Sequence, residues 1–446
     1  MKKRILAVLI ATALAVSVTG CAGNATSSSD STSASSVAES SDTSTQTSSD
    51  ASSEDESKEE SSQEESKDLE ANYTKYTLDG DLTQHMIDMS RLNEGNKVRL
   101  ANVIKKLKNG EEVTVGFIGG SITQGTSAGN DLCYAKLTAD WLQKTYSNAK
   151  INYVNAGIGA TGSYIGVHRV ANDLLSKNPD LVFVEFSVND TTENTERNKK
   201  SYDGLLRTIW KSSTNPAIIT IATTQEDGTS FQDQHAEIVK HYDLPMISYR
   251  NTILDTIKHG DIVWKDISDD NIHPNVPGHK IVSQLLQAYI SDVDNISGSE
   301  SDFTTPATDA PIENGSLIQP SSATDVTATG AFGNYEQQFG GFDGFWLFKG
   351  TSDADISATS LTFKVNAKSI GILYQKYTKA GCTADVYIDD ELVTTLNADF
   401  TGGWGNYVEC AELKSFDSAG EHTVKIVPKG LEGKASKFGV SALAIA

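Results

Sequence analysis

The feature that most limits how this chain can fold is a regular alternation running from residue 113 to residue 289. Short apolar runs, beginning at Val113 and recurring at 151–154, 181–188, 217–222 and 245–249, are separated by stretches with apolar residues at helical spacing. Those stretches cover 132–146, 164–175, 202–210 and 235–242, and a last one covers 279–289. Continuous apolar strands alternating with helices predict a parallel sheet covered on both faces, a three-layer α/β/α unit. In an open sheet of this kind ligands bind outside the carboxyl ends of the strands. Ahead of the first strand, residues 84–107 carry apolar residues at helical spacing and Asn109-Gly110 supplies a stop, so one helix is expected there.

What flanks this unit is different in composition. Met1-Lys-Lys-Arg4 followed by an apolar run over 5–18 reads as a secretion signal, too short to span a membrane given the polar tract behind it. It ends in Val18-Thr-Gly-Cys21, which resembles the lipobox of bacterial lipoproteins and makes Cys21 the expected lipidation site, anchoring the chain to the outside of a bacterial cell membrane. Residues 22–71 are mostly Ser, Thr, Asp and Glu. Between Ala22 and Glu70 thirteen acids face two lysines, which is −11 of the chain's −22 formal charge. Such a segment cannot bury enough surface to offset its ordering entropy and reads as an extended, disordered tether. The remainder is only mildly acidic, and with no basic surface to replace phosphate counterions a nucleic-acid partner is excluded. The α/β unit spans 72–296, a Ser/Thr/Pro/Asp-rich linker 297–322, and residues 323–446 hold only short β-rich runs, with Asp389-Asp390 suited to a hairpin turn. This C-terminal region is expected to be a β-sandwich of jelly-roll type. Export permits disulfides; apart from Cys21, the three remaining cysteines fit either no bridge or a single Cys382–Cys410 pair with Cys133 a buried hydrophobe.

Four stretches fall where strands end. Val113 leads into Gly119-Gly-Ser121, a glycine turn presenting Ser121, which is either a nucleophile or a helix N-cap. After the second strand comes Asn155-Ala-Gly-Ile-Gly-Ala-Thr-Gly162, able to aim a backbone N–H into a site or simply to permit close helix packing. The third strand ends in Ser187-Val-Asn-Asp190, a turn whose Asn189 amide can donate to a developing oxyanion. Before the last helix stands Asp270-Asn-Ile-His273-Pro274, a cap or a base pair. Asp and His three residues apart in a loop can meet, the carboxylate fixing the imidazole tautomer while the other ring nitrogen faces Ser121.

Gly119-Gly-Ser-Ile-Thr123, Asn155-Ala-Gly-Ile-Gly159, Val188-Asn-Asp190 and Asp270-x-x-His273-Pro274 together resemble the four conserved blocks of the SGNH (GDSL-type) hydrolases, over roughly residues 110–290. The resemblance implies a serine esterase with Ser121 as nucleophile, His273 as general base and Asp270 as its orienting acid. It further implies an oxyanion hole from Asn189, the Ser121 N–H and a backbone N–H of the Gly159–Ala160 turn. The chain departs from the pattern at Ser187, where a glycine is usual, at Gly120, where an aspartate is usual, and at Ala160, where the oxyanion glycine is usual. Asp269 adjoins Asp270 with the wrong spacing, and His279 reads as a packing or surface residue.

The family covers lipases, thioesterases, peptidases and carbohydrate deacetylases, so the fold does not name the substrate. The expected surface anchor, long tether and β-domain point toward deacetylation of O-acetylated polysaccharides. Trp346, Trp404 and Tyr407 lie in Gly-aromatic stretches of the β-domain and are candidate glycan contacts, the alternative being that they are core and turn residues. Two other functional readings stand beside this one: a lipase or short-chain esterase on non-carbohydrate esters, and a non-catalytic glycan-binding lipoprotein. No cofactor is expected, and no His or carboxylate spacing resembles a metal site.

Overall fold

In a computed structural model of the protein, residues 73–78, 80–191, 195–293, 296–335, 340–351 and 356–446 are described. They belong to one compact unit, Ser62–Ala446. The expected signal peptide (1–21) with Cys21, and the expected tether (22–71), lie outside the described residues.

Six strands form the first sheet: β1 (Arg91–Asn93), β2 (Glu112–Gly119), β3 (Lys150–Gly157), β4 (Leu181–Glu185), β5 (Ala217–Ala222) and β6 (Met246–Ser248). Their spatial order is β1-β6-β5-β4-β2-β3. Strands β2 to β6 are mutually parallel, and β1 joins β6 antiparallel. The strand order reverses at β2, which lies between β3 and β4, and that is where such sheets open a crevice at their carboxyl ends. Each strand face enters a different core. Val113, Val115 and Phe117 of β2 pack with α2 (Val98–Lys108), α4 (Tyr134–Thr145) and α10 (Val276–Ser291). Ile118 of β2 and Val182 and Val184 of β4 pack instead with α5 (Ser163–Asp173), α6 (Thr195–Trp210) and α7 (Gln232–His241). The three-layer expectation holds, with an antiparallel edge added.

The single helix expected over 84–107 is instead two, α1 (Gln84–Ser90) and α2, with β1 between them. Gly95 sits at φ +57°, and a side chain there would collide with the backbone of Leu244 and Pro245. The chain must leave the helix to let β1 dock beside β6, and apolar spacing alone carries no sign of that break. Two further helices, α8 (Tyr249–Lys258) and α9 (Trp264–Ile267), lie between β6 and α10, and α3 (Ser121–Gln124) is a single turn after β2.

The β-domain is all-antiparallel, from β7 (Ser316–Ile318) to β15 (Ser436–Ile445). Its spine is a pair of long strands, β11 (Leu361–Lys376) and β14 (Tyr407–Lys429), whose register shifts twice, between Ala367 and Ser369 and between Ile370 and Gly371. Such irregularities bend strands and let a single sheet fold over its own core. At one end the chain between β11 and β12 (Thr383–Ile388) meets β15 through Cys382 N–H to Lys437 O at 3.0 Å and Lys437 N–H to Ala380 O at 2.7 Å. Asp389 and Asp390 both adopt positive φ, 51° and 66°, as a two-residue hairpin turn between β12 and β13 (Glu391–Asn397) requires. Cys133, Cys382 and Cys410 are all free thiols, so the Cys382–Cys410 bridge does not form.

The segment read as a linker, 297–322, is a strap laid on the α/β domain. Phe303 stacks on Tyr242 and Trp210, Glu313 pairs with Arg207 and Lys211, and the segment ends in β7, which pairs with β15. The core around α5 continues into the β-domain through Leu373, Val408, Ala442 and Ala444. The two domains therefore share one apolar interior, and their geometry at the sheet edge is fixed.

Candidate active site

Ser121 begins α3 directly after β2, at the carboxyl edge of the sheet and beside the strand-order reversal. As the first residue of a helical turn its N–H has no intrahelical acceptor. His273 Nε2 lies 2.9 Å from Ser121 Oγ, and His273 Nδ1 lies 2.7 Å from Asp270 Oδ2. The other carboxylate oxygen, Oδ1, accepts the N–H groups of Ile272 and His273, each at 2.7 Å. Burial acts to raise the Asp270 carboxyl, but these amides and the His273 ring hold it below the usual carboxylate range. The group thus stays an acceptor, and His273 Nδ1 is the donor to it.

The loop carrying both residues is braced by groups that spacing did not point to. Trp264 Nε1 donates to Asp270 O at 2.6 Å, and Ser268 Oγ reaches Asp270 O and His273 O at 2.8 and 2.5 Å. Asp269 is turned to Asn275 at 3.5 Å and takes no part in the Ser121 contact chain. His279 is fully buried, its Nδ1 accepting the Tyr134 N–H at 3.1 Å, and burial pushes its pKa down to about 4. It is a packing residue.

The departures from the family pattern have local explanations. A side chain at Gly120 would collide with the Asn189 side-chain oxygen, so the glycine makes the space in which Asn189 reaches the Ser121 turn. Ser187 is buried and its hydroxyl accepts the Thr223 N–H at 2.7 Å, tying the end of β4 to the loop after β5. Ala160 sits at φ +57°, the left-handed region that suits glycine, in keeping with a position where glycine is usual. Asn189 is held through its neighbour: Asp190 Oδ1 accepts the Ser163 N–H at 2.8 Å, Oδ2 lies 2.9 Å from His235 Nε2, and Asn198 donates to Asp190 O at 2.9 Å.

Gly159 neighbours Ser121, and its N–H donates to the side-chain oxygen of Gln124 at 3.0 Å. Gln124 is a residue the sequence reading missed; it closes the α3 turn, and only the fold sets it against the 155–162 turn.

A cavity of about 270 Å³ opens beside these groups, lined by Ala160, Asn189 and Arg197 from the α/β domain and by Trp404, Tyr407 and Glu409 from the β-domain. Trp404 is 73% exposed and its ring stacks on Tyr407 at 5.1 Å. Trp346, by contrast, is only 4% exposed and packs edge-on against Phe363 in the β-core, so it presents no face to a sugar. A larger cleft of about 920 Å³, running past Lys376, Glu412 and Lys414, shares Arg197, Glu409 and Cys410 with the first.

A parallel three-layer sheet that gathers a serine, a histidine–aspartate loop and an asparagine at its carboxyl edge defines the class of SGNH-type ester hydrolases. The model of the GDSL-like Lipase/Acylhydrolase family matches residues 117–281. The chain is also similar to two solved structures of a two-domain esterase (CEX) active on acetylated mannans, one co-crystallized with mannopentaose. Each is 30% identical over 80% of this chain and 97% of the other, with TM-scores of 0.72 for the mannopentaose structure and 0.73 for the second. Comparison with curated proteins gave no match. The chain belongs to the GDSL-like lipase/acylhydrolase, or SGNH, family.

Proposed function

We propose that the protein removes O-acetyl groups from polysaccharides outside the cell, with acetylated mannan the first substrate to examine. The observation that carries the reading is the continuous Asp270–His273–Ser121 contact chain, 2.7 and 2.9 Å; Ala160 and Asn189 of the neighbouring turns line a cavity to which the β-domain contributes Trp404 and Tyr407. Ser121 Oγ attacks the acetyl carbonyl carbon as its proton passes to His273 Nε2. The resulting oxyanion is met by the Asn189 side chain and the N–H groups of Ser121 and Ala160. Collapse breaks the bond to the sugar oxygen, which takes the proton from His273 and leaves an acetyl-enzyme. Water, deprotonated by His273, then releases acetate and regenerates the Ser121 hydroxyl. Asp270 stays ionised and balances the imidazolium in both halves.

An exposed Trp404 stacked on Tyr407 offers the flat apolar face that sugar rings pack against. The wider cleft that shares Arg197 gives an extended chain room to continue beyond the reacting residue. A panel of p-nitrophenyl esters tests the acyl preference: acetate esters should be hydrolysed fastest, and a preference rising with chain length would place the protein among lipases. The sequence Val18-Thr-Gly-Cys21 and the acidic stretch after it support an exported lipoprotein held by Cys21 on a long tether. Replacing Cys21 by serine should move the protein from the membrane fraction to the medium or the soluble fraction; an unchanged distribution would remove the anchor from the account.

A further inference from the structure

Away from the Ser121 site, the fold brings together three side chains with the donor chemistry of a transition-metal site. His85 comes from α1, and Asp255 and His259 stand one turn apart on α8 and at its C-cap. Each offers one nitrogen or carboxylate oxygen, and the three atoms lie within 4.8 Å of one another. His85 Nε2 is 2.6 Å from Asp255 Oδ2, and His259 Nδ1 is 3.3 Å from the same oxygen and 2.9 Å from the Asp255 carbonyl. The His85 side chain is 4% exposed and those of Asp255 and His259 are 14% and 16% exposed, so a cation there would exchange most of its water for protein ligands. The Tyr73 ring stacks on His259 at 4.2 Å and meets His85 edge-on at 5.4 Å, walling one side of the group.

We propose that His85, Asp255 and His259 bind a divalent transition-metal ion of the zinc class, with solvent as the remaining ligand. Two imidazoles and one carboxylate suit such ions and not calcium or magnesium, which select oxygen. A metal ion takes imidazole and carboxylate in their deprotonated forms, so its binding releases whatever protons these donors carry. The ion would tie α1, the first helix of the described chain, to the end of α8 beneath Tyr73. Sequence alone hides the site because His85 and Asp255 are 170 residues apart, and the Asp255-x-x-x-His259 pair is only two-thirds of the donor set.

The test is calorimetric titration of tag-free full-length protein with Zn²⁺, with H259Q and D255N alongside. Wild type should bind one ion at this group, and each variant should lose at least about 10- to 100-fold in affinity, the loss that removing even an outer partner of a metal ligand causes. Co²⁺ should give the visible absorption of a low-coordinate nitrogen–oxygen site in wild type and not in H259Q. Hydrolysis of p-nitrophenyl acetate by the metal-free variants establishes that they are folded, and if D255N does not fold H259Q decides. Equal Zn²⁺ affinity in wild type and H259Q, or no binding to wild type at millimolar Zn²⁺, would overturn the proposal and leave the cluster a hydrogen-bonded clip between helices.

Discussion

At Gly120 and Asn189 the meaning of one residue depends on another 69 positions away. The glycine is required because the asparagine side-chain oxygen occupies the space a Cβ would take. Asn189→Ala should therefore leave the fold intact and lower kcat on acetate esters by about 10²- to 10³-fold with little change in KM, since the lost donor acts on charge that develops only in the transition state. A proportional rise in KM at unchanged kcat would show that Asn189 binds substrate and is not an oxyanion donor. Ser121, Asp270, His273 and Asn189 were legible because short polar motifs at strand ends are where an α/β sheet exposes chemistry. The occupation of the Gly159 N–H by Gln124 was not, because a side-chain contact between two loops leaves no periodic signal. Nor was the burial of Trp346, whose glycine-flanked setting reads the same in a core as on a surface.

Among the elements, α10 carries His279 into the sheet's core, where its Nδ1 accepts the N–H of Tyr134 at the start of α4. Burial keeps this imidazole neutral down to about pH 4, while in the unfolded chain it takes a proton near its ordinary value of 6.5. Between those limits the unfolded state binds more protons, so this residue makes stability fall as pH falls through the window. His279→Gln removes that contribution. The unfolding free energy of wild type, followed by urea denaturation from pH 7 to 4.5, should drop more steeply than that of the variant, by up to about 1.4 kcal/mol per pH unit. Parallel curves would mean that His279 is not held neutral. The strands and helices of the α/β domain followed from their apolar periodicity, since burial on both faces leaves long uninterrupted runs. Two things did not follow: the helices α8 and α9, and the break between α1 and α2, the latter set by the approach of Gly95 to Leu244, a tertiary contact that overrides local propensity.

For the molecule as a whole, the shared interior around α5 makes the β-domain one wall of the cavity lined by Ala160 and Asn189. Trp404→Ala should raise KM for acetylated manno-oligosaccharides by about 3- to 10-fold, the worth of one aromatic contact. The same change should leave kcat/KM for p-nitrophenyl acetate as in wild type, because that small ester has no sugar ring to reach the platform. Equal losses on both substrates would show that Trp404 supports the fold or the chemistry and does not recognise sugar. That two domains exist was legible from the change of patterning near residue 323, but their joint cavity was not, because it arises where residues 160–198 of the α/β domain meet residues 404–410 of the β-domain. The most direct measurement is acetate release from acetylated mannan by wild type and by Ser121→Ala under identical conditions. The proposed acyl-enzyme mechanism requires rapid deacetylation by wild type and a loss of at least about 10³-fold in the variant with its fold unchanged. Comparable acetate release by the two proteins, or none by wild type while simple acetate esters are cleaved, would contradict it.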